Sequence, residues 1–181
     1  MSSKKTLKQV LTENKKCFLV PCVYDCASNH AMEMCGFPAT LLSGGEVSIA
    51  MNGVIDYGFT GLTDLEWAVS RIATTSSVPL ICDIEDGFGG PLAVYRSAKR
   101  LSAAGAAAIQ LEDSADMEES TSILSREKYF AKVRAALKAL KGTDCILIAR
   151  SNADPMIPEQ MQEGCERLQE AIEMGEAEAL W

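Results

Sequence analysis

Short apolar runs of β type alternate with longer stretches of helical period along the whole 181-residue chain, and this alternation limits the fold more than any single residue does. The runs are Phe18 to Tyr24, Ala39 to Ser43, Leu80 to Glu85, Ala108 to Glu112, Cys145 to Arg150 and Ala177 to Trp181. Between them the spacing predicts helices with one apolar face, carried by Leu65, Val69 and Ile72, by Phe130, Val133, Leu137 and Leu140, and by Met161, Cys165, Leu168 and Ile172. Those faces are expected to be core. Thr63 with Glu66 reads as a capping box, Pro91 and Pro158 suit first helical positions, and Ser125 can cap the helix that follows it. Three similar joints, Gly36-Phe37-Pro38-Ala39, Gly105-Ala106-Ala107-Ala108 and Gly175-Glu176-Ala177-Glu178, put a Gly a few residues before a strand, as where a helix ends in the left-handed region.

Repeated βα units with near-continuously apolar strands imply a parallel sheet covered by helices, either doubly wound or closed as a (β/α)8 barrel. A complete barrel takes about 250 residues. Six strands are countable, so the expectation is an α/β chain of TIM-barrel type, truncated after about six strands and forming one partial domain over 1–181; a six-stranded open sheet is the alternative. Trp181, ending a hydrophobic strand with no helix after it, favours the truncated barrel.

Composition narrows the partners. With 17 Lys plus Arg against 25 Asp plus Glu and a formal charge of −8, attraction to nucleic acid or an anionic membrane is disfavoured. No apolar run approaches the roughly 18 residues needed to cross a bilayer, and Met1 to Lys16 has no hydrophobic region of signal-peptide type, so a cytoplasmic location is expected. Seven cysteines without a close CxxC pair argue against a disulfide framework or a structural zinc site, and are expected to be reduced core residues. The one histidine, His30, rules out zinc sites with two histidines in one chain and leaves nucleophile-His catalysis a single candidate. Gly87-Phe88-Gly89-Gly90 lacks the spacing of a phosphate loop or dinucleotide fingerprint.

Polar residues gather at the carboxyl ends of successive strands, the rim where parallel α/β sheets build their sites. Asp25 follows the first strand, Ser43-Gly44-Gly45 ends the second, Asp83 and Glu85 the third, Glu112-Asp113 the fourth and Arg150 the fifth. Asp83 and Glu85, two apart in a strand, are expected to share a face. With Glu112, and with Asp56 from the loop after the second strand, they offer hard oxygen donors and no soft ligand, which suits Mg2+ or Mn2+; the plainer alternative is a solvated acidic rim. Ser43, Gly44 and Gly45 offer a hydroxyl and open amides to a carboxylate or phosphonate, and Arg150 a fixed cationic fork, although Ser-Gly-Gly can equally be a plain turn.

Taken together, Tyr24-Asp25-Cys26-Ala27-Ser28, Ser43-Gly44-Gly45, Asp56-Tyr57-Gly58, Asp83-Ile84-Glu85-Asp86-Gly87-Phe88-Gly89, Leu111-Glu112-Asp113 and Ile148-Ala149-Arg150-Ser151-Asn152-Ala153 resemble, in order and spacing, the isocitrate lyase and phosphoenolpyruvate mutase superfamily. The resemblance implies a (β/α)8 barrel, a homotetramer that swaps terminal helices, and magnesium used to bind small 2-oxo or 2-hydroxy carboxylates whose C–C or C–P bond breaks through an enolate. It implies Asp83 as direct metal ligand, with Glu85, Glu112 and Asp56 holding the ion directly or through water. Tyr24, Ser43, Gly44, Gly45 and Arg150 would contact the substrate, with Arg150 and Glu112 in catalytic roles.

The sequence departs from that pattern in two places. Many of these lyases carry Asp-x-Asp where this chain has Asp83-Ile84-Glu85, and their Lys-Lys/Arg-Cys-Gly-His loop is replaced here by Ser114 to Ser125, without Cys, Gly, His or Lys. An isocitrate or methylisocitrate lyase is therefore disfavoured. The expectation is a magnesium-dependent lyase-type enzyme acting on a small carboxylate. Alternatives are a phosphonopyruvate-type mutase or hydrolase, an oxaloacetate decarboxylase, and a catalytically silent barrel fragment.

Overall fold

The computed structural model describes residues 4–14, 17–56, 58–114 and 123–174, and the backbone of 177–180. Six strands form one parallel sheet whose spatial order follows the chain: β1 (Cys22–Val23), β2 (Thr40–Leu42), β3 (Leu80–Asp83), β4 (Ala108–Glu112), β5 (Ile146–Arg150) and β6 (Ala177–Leu180). A doubly wound sheet reverses direction at a switch point, and this one does not. With right-handed crossovers, an unreversed order puts the connecting helices on one side and bends the sheet into the wall of a barrel.

Seven helices are described: α1 (Leu7–Glu13), α2 (Cys26–Met34), α3 (Gly44–Asn52), α4 (Leu62–Thr75), α5 (Pro91–Ala104), α6 (Arg126–Leu140) and α7 (Pro158–Glu173). Strand alternation divides the apolar residues between two cores. Leu42, Leu80, Cys82, Ile109, Leu111, Leu147 and Ala149 face the helices, where they meet Leu65, Val69, Ile72, Val94, Leu101 and Val133. Ile81, Ala108, Ile146 and Ile148 face the other way and meet Leu7 and Val10 of α1, which closes the amino end of the inner face. Each fully buried Leu or Ile contributes about 2 kcal/mol.

Several helix ends follow the sequence signals. Pro91 and Pro158 open α5 and α7, and Gly36 and Gly105 carry left-handed φ values of 83° and 110°. Ser125 occupies the cap of α6 without a side-chain hydrogen bond to the helix. The expected Thr63–Glu66 box does not form: Gly61 caps α4, its N–H donating to Asp64 Oδ2, while Glu66 reaches across to Arg100 of α5. Gly175 and Glu176 of the third joint, and Trp181 at the end of the last strand, lie outside the described residues.

Other expectations are corrected. The first strand is shorter than Phe18 to Tyr24, because Phe18 and Val20 pack against the inner core and only the last residues join the ladder. On α7 the buried residues are Gly164, Arg167 and Ala171, whereas Met161 and Cys165 are exposed and Leu168 and Ile172 are partly buried. The reason is an ion pair on the buried side of that helix, described below, which an apolar stripe cannot reveal. Of the cysteines only Cys82 and Cys145 are buried; Cys17, Cys22, Cys26, Cys35 and Cys165 are exposed, on chain segments or helix faces turned to solvent.

Gly105 is a position where the backbone requires glycine. Its φ is left-handed, and a Cβ there would sit 2.7 Å from Cβ of Ala73 on α4. Gly105→Ala is expected to lower stability by about 1–3 kcal/mol. Urea unfolding followed by circular dichroism measures this, and an unchanged midpoint would refute the crowding at that joint.

Candidate active site

On β3, β4 and β5 the inner-facing positions run from apolar at the amino end to polar at the carboxyl end. They are Ile81 then Asp83, Ala108 then Gln110 and Glu112, and Ile146 and Ile148 then Arg150. Parallel pairing sets Asp83 opposite Gln110 and Glu112 opposite Arg150. The result is direct: Arg150 Nη1 lies 2.7 Å from Glu112 Oε1 and 3.4 Å from Asp83 Oδ2. Asn152 adds a hydrogen bond from Nδ2 to Glu112 Oε2 at 2.5 Å, and Ser114 Oγ lies 3.3 Å from the same oxygen.

Glu85 reaches the site by a different route from the one strand alternation predicts. β3 ends at Asp83, whose Oδ1 accepts the Glu85 N–H at 2.9 Å, and Glu85 then adopts a left-handed φ of 51°. Its carboxylate is brought against α3, where a Cβ on Gly44 would lie 2.7 Å from Glu85 Oε1. Asp56 approaches the same turn, its Oδ2 3.3 Å from where a Cβ of Gly45 would be. Ser43-Gly44-Gly45 is thus neither a loose turn nor an open nest. It is the first turn of α3, with Ser43 as N-cap making no side-chain bond to the helix. The unpaired amides and positive dipole end of that turn suit an anion.

Electrostatics show a surplus of negative charge. Burial, followed by the charge of Glu112, raises Asp83 to about 6. Burial, followed by repulsion from Asp56, Asp83, Glu112 and Asp86, raises Glu85 to about 7. Arg150 is the cation that touches Asp83 and Glu112, and Asp83, Glu85, Glu112 and Asp56 together outnumber it. In charge and in oxygen donor type this set fits a hard divalent cation. The expected convergence of all four carboxylates on one point is not present: among the described residues no three acidic, His or Cys groups are grouped closely enough to hold a metal together. Arg150 stands between Asp83 and Glu112 instead, since its register position directly faces Glu112.

The remaining sequence candidates divide plainly. Tyr24 lies at the carboxyl end of β1 and is 42% exposed. Asp25 is the N-cap of α2, accepting the Ser28 N–H at 2.7 Å, and His30 is exposed on that helix. Tyr57 and residues 115–122 of the Ser114 to Ser125 loop lie outside the described residues. Two residues at the rim carry no expected role: Asn152, although it lies within the matching Ile148 to Ala153 segment, and Gln110, whose buried Nε2 has no hydrogen-bond partner among the described residues. For Gln110 the available signal is its period-two spacing with Glu112. A cleft of about 680 Å³ at the opposite end of the sheet, lined by Lys4, Lys99, Lys138 and Lys141, contains none of these residues.

No described helix is long and apolar enough to cross a membrane. The phosphoenolpyruvate phosphomutase family model matches residues 7–179. An oxaloacetate decarboxylase of Rhodopseudomonas palustris is 32% identical over 151 residues, 81% of this chain and 52% of that protein. A 2-methylisocitrate lyase of Vibrio cholerae is 33% identical over 145 residues, 77% of this chain and 46% of that protein. Among solved structures, a phosphonopyruvate hydrolase in complex with oxalate and Mg2+ superposes with a TM-score of 0.87 at 29% identity, covering 99% of this chain and 62% of that one. The chain therefore spans about half the length of these curated relatives and about 60% of the structural one. With the unreversed parallel sheet, the acidic rim and a family match over nearly its whole length, the chain belongs to the phosphoenolpyruvate mutase and isocitrate lyase superfamily.

Proposed function

We propose that residues 1–181 form part of one barrel domain of a magnesium-dependent enzyme that breaks a C–C or C–P bond beside the carboxylate of a small 2-oxo or 2-hydroxy acid. The observation that carries this reading is the meeting of Asp83, Glu112 and Arg150 on the inner face, with the excess charge of Glu85 beside them. The relatives support the substrate class, since the reactants named for them are oxaloacetate, methylisocitrate and phosphonopyruvate.

Asp83 would hold the ion, with Glu85, Glu112 and Asp56 contributing directly or through water; Mn2+ suits the same donors. When bound, the ion supplies Lewis-acid neutralisation of the negative charge that develops on an enolate oxygen. Arg150 offers two parallel N–H donors to a substrate carboxylate, and the first turn of α3 offers the Ser43 hydroxyl and the amides of Gly44 and Gly45 to the substrate's second anionic group, the Ser43 N–H being taken by Val23 O. Tyr24 borders the same rim. Glu112, steered by Asn152, stands where it can hold a proton or orient a water. Donors fixed in advance in a water-poor site stabilise charge more than mobile water does.

The surface bears on partners and location. The exposed apolar side chains of Ile49, Met51, Val54, Ile55 and Phe59 support a homo-oligomer, a tetramer by family resemblance. Exposed free cysteines and the net charge of −8 support a reducing, cytoplasmic setting without nucleic acid or membrane.

Calorimetry is expected to show oxalate binding that requires Mg2+ and disappears in Asp83→Asn; oxalate bound equally without the ion, or by that variant, would sink the metal assignment. A second outcome follows from linkage. Asp83 and Glu85 bind protons more tightly folded than unfolded, so between the ordinary carboxylate range and about 7 the folded state holds the extra protons, and their contribution to stability is lost as pH rises. Without divalent ions, melting is expected at a lower temperature at about pH 8 than at about pH 5. Mg2+ should reverse the loss, and Glu85→Gln should shrink it. A wild-type melting temperature that does not fall over this range, with Glu85→Gln unchanged from it, is the contrary result.

A further inference from the structure

The two acidic dipeptides of the rim are built alike. Glu85 is followed by Asp86 and Glu112 by Asp113, and in each pair the second carboxylate is tied to a buried cation on a helix. Lys132 of α6 is 6% exposed and donates from Nζ to Asp86 O at 2.8 Å and to Asp86 Oδ2 at 3.0 Å. Arg167 of α7 is 4% exposed and pairs with Asp113 Oδ2 at 3.2 Å, Asp113 itself being fully buried. Each acid then organises backbone near the site. Asp86 Oδ1 accepts the Phe88 N–H at 2.8 Å, and Asp113 accepts from Ser151 Oγ and from the Asn152 N–H, both at 2.7 Å. Asn152 passes that constraint to Glu112 at 2.5 Å. The two dipeptides are joined as well, because the Glu112 N–H donates to Glu85 O at 2.8 Å.

A buried ion pair contributes little net stability, since desolvation cancels most of the attraction and apolar side chains of like volume serve a core as well. Lys132 and Arg167 both occupy the buried sides of their helices, among Tyr129, Val133 and Ala136 on α6 and Gly164 and Ala171 on α7. Two such pairs, each behind a candidate metal-holding Glu, have a common effect. They place a cation against the second acid, and they fix the backbone from which the first acid projects.

We infer that Lys132 and Arg167 are positioning residues, holding Glu85 and Glu112 for the cation through Asp86 and through Asp113 with Asn152. This rests on the proposed metal reading, and its test separates the two. Mn2+ uptake is measured by calorimetry at a temperature where circular dichroism shows each variant folded, and amide exchange is followed at Phe88 and Glu112. Lys132→Met is expected to weaken Mn2+ binding about tenfold or more and Lys132→Arg to restore most of it. Exchange at the Phe88 and Glu112 amides should quicken in Lys132→Met beyond any change in global stability. Arg167→Met would strand the Asp113 charge and can fail to fold, so that arm is read with Asn152→Ala, which removes only the link to Glu112 and should also weaken Mn2+ binding about tenfold. Wild-type affinity and wild-type amide protection in both folded variants overturn the inference. If the wild-type chain takes up no Mn2+, the metal reading falls, and exchange decides the positioning role: faster exchange confined to those amides supports it, and uniform exchange refutes it. Should Lys132→Met not fold, Asn152→Ala decides by the same measurements.

Discussion

Placing several carboxylates at one end of an apolar sheet is opposed by both desolvation and mutual repulsion, and the way this chain meets that opposition shapes much of its architecture. Asp83 and Glu112 share one guanidinium nitrogen of Arg150. Asp86 and Asp113 are turned to Lys132 and Arg167. What remains uncompensated is carried by Asp83 and Glu85, whose protons are held well above the usual carboxylate range. Carboxylates perturbed in this way cluster at functional sites.

The barrel wall makes such a site possible with little chain. Because strands run parallel and in order, each contributes its inner carboxyl-end residue to the same rim, so residues as far apart in sequence as Asp83 and Arg150 become neighbours through register alone. The helices on the other side supply the apolar cover and two further cations, Lys132 and Arg167.

Much of this is legible in the sequence because period and punctuation are local. The strands over Leu80 to Asp83, Ala108 to Glu112 and Ile146 to Arg150, the prolines opening α5 and α7, and the left-handed glycines at 36 and 105 follow from chain geometry. Less accessible features depend on partners far along the chain. Nothing near Arg167 says that it is buried, because its reason is Asp113, and the apolar stripe expected on α7 is therefore offset from the buried face, with Leu168 packed against the core and Met161 and Cys165 exposed. Strand alternation puts Asp83 and Arg150 on the inner face correctly, but does not foretell that Arg150 lies between the acids. Nor does it foretell that Glu85 arrives by a left-handed turn, or that Ser43-Gly44-Gly45 begins a helix.

The seating of α1 has a consequence of its own. Leu7 and Val10 stop the inner face at its amino end with apolar packing. The polar positions of that face are thereby confined to the carboxyl ends of the strands, where Asp83, Glu112 and Arg150 meet.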